Sequence, residues 1–191
     1  MMLHTAECWL WKYCVAVLAF VLTVIIGNVS RASVNPLPLS DDGAEIFALK
    51  VKIRMGSDEK NCGTVRDVIR VKDLDRQTEQ GMMYAYAMTH VNGKHQASVV
   101  FHENKNQKLT TIMVVPHDNS KLTYAKAAVP IILYSLLTLD VEQKDIEKLV
   151  FRSMAEEIGM VDYKFNGRNI VMYAQKPKGD ETITKYFIAS L

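Results

Sequence analysis

Apolar and polar positions alternate from Phe47 to Met55: Phe47, Leu49, Val51, Ile53 and Met55 are apolar, while Lys50, Lys52 and Arg54 are charged. A period of two with one charged face predicts a half-buried strand. A turn follows over Gly56–Gly63. Between Thr64 and Leu74 the apolar positions fit a helix and a strand equally well, so the pattern leaves that stretch open.

The middle of the chain reads as a β-meander. Met82 to Val91 is a first strand, Asn92-Gly93 supplies the dipeptide of a tight hairpin turn, and Lys94 to His102 returns. A polar loop over Glu103–Gln107 leads to a third strand, Lys108 to Val115, which ends at Pro116. A two-residue loop places Val91 opposite Lys94 and His90 opposite His95. One face then carries Tyr84, Tyr86, Met88, Ala97, Val99, Phe101, Leu109, Met113 and Val115, and is expected to be the core face. The other carries Thr89, Lys94, Gln96, Ser98, His102, Lys108 and Thr110.

Two helices are predicted to cover that core. Leu122 to Leu139 has apolar residues at helical spacing, and Pro130 either kinks it or starts a fresh first turn. Asp140 then reads as an N-cap with Gln143 at the capping-box position, opening a second helix from Val141 to Ile158 that ends at Gly159. The tail returns to β structure: Val161 to Phe165, a second hairpin signal at Asn166-Gly167, Asn169 to Gln175, and a last strand over Thr182–Ser190. Whether that last strand is paired on both sides or forms an edge is open. The sum is an α+β class protein: an antiparallel meander with two consecutive helices packed on one face.

The N-terminus changes this picture. Lys12 precedes an apolar run from Tyr13 to Ile26 in which Thr23 is the only polar side chain. Gly27 and Asn28 end the run, and Ser30-Arg31-Ala32 places small residues at −3 and −1 of a cleavage after Ala32. That order describes a secretory signal peptide. The alternative is an uncleaved membrane helix starting near Trp9, with Trp9, Trp11 and Tyr13 at the interface. The chain therefore divides into a signal peptide or membrane anchor (1–32), a Pro-containing linker (33–44) and a single α+β domain (45–191). The expected location is exported: periplasmic, secreted, or anchored to the outer face of a membrane.

Composition excludes several classes. Apolar residues make up 49% and charged residues 23% of the 191, which argues against disorder and low-complexity architecture. Net charge is +2 with no basic stripe, so nucleic acid is not an expected partner. Of three cysteines, Cys8 and Cys14 belong to the leader, which leaves Cys62 without an intramolecular partner in the domain.

Candidate chemistry is sparse. His90 and His95, side by side in the expected register, could bind a metal together with His117 near the same end of the sheet. The competing reading is that these are rim histidines where the sheet meets water. Cys62 could be a nucleophile or an intermolecular disulfide partner, although a lone cysteine is more often inert. Asp41-Asp42, Asp73-x-Asp75 and Glu156-Glu157 read as solvated charge. Tyr84 and Tyr86 could stack a ligand, but they share the core face. The methionines are scattered and read as core filling. No phosphate loop, nucleophile elbow or H-E-x-x-H is present, so no catalytic residue and no cofactor is assigned. The expectation is an exported or tethered, non-catalytic binding or interaction module with an unidentified protein or small-molecule partner. The alternatives are a small metal-dependent enzyme or metal carrier using His90 and His95, and a membrane-anchored subunit of an envelope assembly.

Overall fold

The structure, a computed structural model, describes residues 37–58, 65–90, 95–118, 127–148, 161–165, 168–175 and 183–190. The chain divides after Asn35 into two units, and every described residue belongs to the second, Pro36–Leu191. The expected leader, Cys62, the two expected Asn-Gly turns, and the expected helical positions 122–126 and 149–158 lie outside the described residues. Among the described residues no helix is long and apolar enough to cross a membrane.

The first element overturns an expectation. Ala44–Ser57, which contains the predicted strand 47–55, is a helix, α1. Its buried residues are Ala44, Phe47, Ala48, Val51 and Met55, spaced as one face of a 3.6-residue period. The period-two pattern coexists with this one because Phe47, Val51 and Met55 satisfy both, and packing decides between them. Gly43 precedes the helix with extended dihedrals and no local side-chain cap. The cap comes from the sheet instead, where Glu103 Oε2 accepts the Ala44 amide at 3.0 Å. A carboxylate there satisfies an orphan donor and faces the positive end of the helix dipole.

The remainder is of the expected α+β class with an antiparallel sheet, although the last strand lies inside the sheet, which is therefore not a simple meander. Strands β1 (Val65–Arg70), β2 (Arg76–Gln77), β3 (Gly81–His90), β4 (His95–Asn104) and β5 (Leu109–Pro116) are followed by helix α2 (Val129–Thr138). Strands β6 (Val161–Phe165), β7 (Arg168–Gln175) and β8 (Lys185–Ser190) complete the chain. The open stretch before β3 resolves into strand β1 and a short 3-10 turn, Lys72–Leu74. The sheet order is β1-β3-β4-β5-β8-β7-β6, with β2 beside β3. The last strand is thus interior, paired with both β5 and β7, and the edges are β1 and β6. Phe165 pairs with Arg168, the register expected on either side of Asn166-Gly167.

A bulge in β5 revises the face assignments. Thr111 is opposite His102 and Leu109 is opposite Glu103, so one residue of β5 is extra there. Ile112 and Val114 consequently join Leu109, Phe101 and Val99 in the core, whereas Met113 and Val115 turn to the opposite face with Val100 and Ser98. That opposite face is buried too: Ala85, Val100, Met113, Val171 and Phe187 are each under 5% exposed. The unbroken apolar runs Val99-Val100-Phe101 and Ile112-Met113-Val114-Val115 record this burial on both sides of the sheet.

Two helices far apart in the sequence, rather than consecutive ones, cover the core face. Phe47 of α1 meets Phe101 edge-on at 5.8 Å, and Phe101 meets Tyr86 at 5.3 Å. Ile131, Ile132 and Leu136 of α2 belong to the same cluster. Pro130 lies in the first turn of α2, where its missing amide hydrogen costs nothing. Asp140 is not the N-cap of a following helix; it closes α2 at φ 61°. Its amide bonds Leu137 O at 3.0 Å and the Val141 amide bonds Leu136 O at 3.1 Å, the two bonds of a Schellman motif. A second helical segment, 143–148, begins three residues later and adds Ile146 to the core. The end of the expected linker is also pinned: Leu39 is buried, and its amide bonds Leu109 O at 2.7 Å.

Candidate interaction surface

Helix α1 carries a second apolar stripe. Ile46, Leu49 and Ile53 are 55%, 56% and 61% exposed, although the helix already buries its other side against the sheet. At 100° per residue these three side chains fall within an arc of about 60°, diametrically opposite the buried stripe. Each is a large aliphatic group that would gain roughly 1 kcal/mol on leaving water.

Charged residues rim the stripe, and each is paired. Lys50 reaches Asp42 at 2.6 Å, Lys52 reaches Asp67 on β1 at 2.6 Å, and Arg54 reaches Asp140 at 3.4 Å. Glu45 pairs with Arg70, whose guanidinium also bonds Asp75 at 2.6 Å and lies 4.7 Å from the centre of the Tyr84 ring. An apolar centre inside a charge-balanced rim is the usual anatomy of a protein contact.

Beneath α1 a polar cluster holds the helix in place. Glu103, only 6% exposed, accepts the Tyr84 hydroxyl at 2.9 Å through its other oxygen. Burial, then the hydrogen bond to Glu103, pushes the Tyr84 phenol above its ordinary value. Asp75 also accepts the Ala85 amide at 3.2 Å. Glu103→Gln keeps the shape but removes the charge, so the Ala44 amide and the Tyr84 hydroxyl lose an ionic acceptor. The expected cost is about 1.5–3 kcal/mol, read as a lower urea midpoint at unchanged slope.

On the other side of the sheet, His102 is held between two hydroxyls, Thr110 Oγ1 at 3.0 Å from Nδ1 and Thr78 Oγ1 at 3.3 Å from Nε2. Burial depresses its pKa below the ordinary 6.5, outweighing the nearby Glu103 charge. The folded chain therefore binds this proton less readily than the unfolded chain. The stability His102 contributes is complete above about pH 6.5 and falls as pH drops towards the folded value. The difference in urea midpoint between wild type and His102→Asn should accordingly shrink from pH 7.5 to pH 5. A constant difference would show that burial does not depress the His102 pKa.

The sequence candidates fare differently. His90 closes β3 and His95 opens β4, but a bulge at Gln96 sets His95 opposite Thr89, and His90 pairs with Val65 of β1. The direct opposition of His90 and His95 is replaced by that register. His117 is exposed just beyond β5, at the same end of the sheet. Among the described residues no three His, Cys, Asp or Glu side chains gather to hold a metal. Tyr84 and Tyr86 line the core, as expected. Asp75 departs from the solvated-charge reading, because its side chain is 12% exposed and clamps Arg70. Asp41 is exposed and bonds Lys108 and Arg168, which hold its carboxyl below the ordinary value.

The stripe on α1 is invisible at the two-residue spacing of a strand. Read at helical spacing, 44–57 shows two apolar stripes where a surface helix needs one, and that surplus is the signal. In comparisons with protein-family models, curated proteins and solved structures, nothing matches the chain.

Proposed function

We propose that this chain is an exported or membrane-tethered, non-catalytic binding module, an α+β domain behind an apolar leader, whose contact surface is the outer stripe of α1. The observation that carries the reading is that stripe: Ile46, Leu49 and Ile53, each more than half exposed, on a helix whose opposite face is fully engaged. Isolated apolar side chains on a surface need no explanation, but three in helical register within a polar rim mark an interaction site. The leader pattern at 1–32 supports export or tethering. The domain would act by presenting α1, with the sheet as its rigid support.

The test separates a binding surface from metal chemistry at the histidines. Leu49→Glu should leave stability within about 0.5 kcal/mol, since the side chain makes no core contact. In the native host the same substitution should abolish the protein's cellular role. Replacing His90, His95 and His117 together should leave that role intact. The reverse result, a silent Leu49→Glu and an inactive, folded triple variant, would overturn the binding-module reading.

A further inference from the structure

We infer that the turn Thr78–Gly81, which joins β2 to β3, is a proton-released latch: when His102 takes up a proton, the turn gives up an amide hydrogen bond and loosens while the sheet behind it stays folded. The inference is independent of the α1 stripe. It rests on how many hydrogen bonds one hydroxyl can make.

Thr78 Oγ1 accepts the Gln80 amide at 3.2 Å and the Gly81 amide at 3.1 Å. A hydroxyl has two lone pairs and one proton, so only the proton is left for the ring. It is donated to His102 Nε2 at 3.3 Å. The rival acceptor, Gly81 O at 3.1 Å, already takes the Thr78 amide at 2.7 Å. Nε2 is then bare, and the proton of the neutral ring sits on Nδ1. Thr110 Oγ1 accepts it at 3.0 Å, because the Thr110 proton goes to His102 O at 3.1 Å. Thr110 is the extra residue of the β5 bulge, so the bulge supplies this second hydroxyl.

A protonated ring carries a hydrogen on each nitrogen. The Nδ1 side is unchanged. On the Nε2 side three donors now meet two lone pairs on Thr78 Oγ1. The Thr78 proton turns to Gly81 O, and the charged ring displaces one amide because a charge-assisted bond is the stronger. β2 pairs with β3 only through Arg76 and Gln77, so little else closes this edge once the turn gives way.

The ring shares its row of the sheet with Met83 of β3, Thr111 of β5, Ala189 of β8 and Val171 of β7, none of which titrates. Among the described residues, burial opposes the charged ring and the Glu103 carboxylate favours it. Glu79, in the turn itself, is exposed.

The experiment is a nuclear magnetic resonance titration of the isotope-labelled full chain in nonionic detergent, from about pH 7.5 to about pH 5. At the upper end the ring nitrogens should report the Nδ1–H tautomer. As the ring titrates, the Gln80 or Gly81 amide, corrected for its intrinsic pH dependence, should exchange about three- to tenfold faster, the loss of one hydrogen bond. Amides of β4 and β5 should keep their protection. In His102→Gln the acceleration should vanish. An Nε2–H tautomer in the neutral ring overturns the latch, and so does a ring that stays neutral throughout. Turn exchange that ignores the ring's titration, quickens equally in His102→Gln, or quickens only together with the whole sheet overturns it as well. The tautomer and the wild-type titration need no variant, so they decide the matter even if His102→Gln does not fold.

Discussion

Phe101→Ala is expected to cost about 3–5 kcal/mol, close to the whole stability of a marginal domain. Phe101 is fully buried at the junction of α1 with the central strand β4. Its ring makes edge contacts with both Phe47 and Tyr86, at interplanar angles of 61° and 80°. Such aromatic pairs contribute beyond the area they bury. Alanine leaves a cavity that neither neighbour can fill without leaving its own site, because Tyr86 is fixed in β3 and Phe47 in α1. A large fall in urea midpoint at unchanged slope is the expected reading. A loss under about 1 kcal/mol would mean that α1 is not held on the sheet through this contact.

That contact also shows where sequence reading succeeds and fails. Elements built from local chemistry were legible. The hairpin signal at Asn166-Gly167 agrees with the observed pairing of Phe165 with Arg168. Pro130 marked the first turn of α2. Elements set by tertiary context were not legible. The segment 47–55 satisfies period two as well as period 3.6, and only the sheet beneath it, with Glu103 at its N-terminus, selects the helix. Bulges are equally silent in composition. One extra residue in β5 sends Met113 and Val115 to the face opposite Leu109, and one at Gln96 moves His95 from His90 to Thr89. The metal candidates depended on that register, and the outer stripe of α1 depended on the helix. Both turn on a single-residue or single-period choice that long-range packing makes.

Glu103, which caps α1, has its main chain packed against the glycine that opens β3. Gly81, the first residue of β3, pairs with Asn104 and holds φ at 155°. A Cβ built there would stand 1.9 Å from Glu103 O and 2.7 Å from the Asn104 carbonyl carbon, both main-chain atoms. No rotamer change relieves such a contact, so β3 would have to move away from the end of β4. The Gly81 carbonyl accepts the Thr78 amide at 2.7 Å, and the Gly81 amide donates to Thr78 Oγ1 at 3.1 Å, which ties that end of β3 to the turn beside His102. Gly81→Ala is therefore expected to cost about 2–5 kcal/mol, from backbone strain and overpacking together. The damage should spread along a defined path: Glu103 shifts, the Ala44 amide loses its acceptor, and α1 frays from its N-terminus. Hydrogen exchange should report this as lost protection at the start of α1 before loss elsewhere in the sheet. Protection lost uniformly, or only in β3, would show that the glycine matters to the strand alone and that the helix bearing Ile46, Leu49 and Ile53 is positioned independently of it.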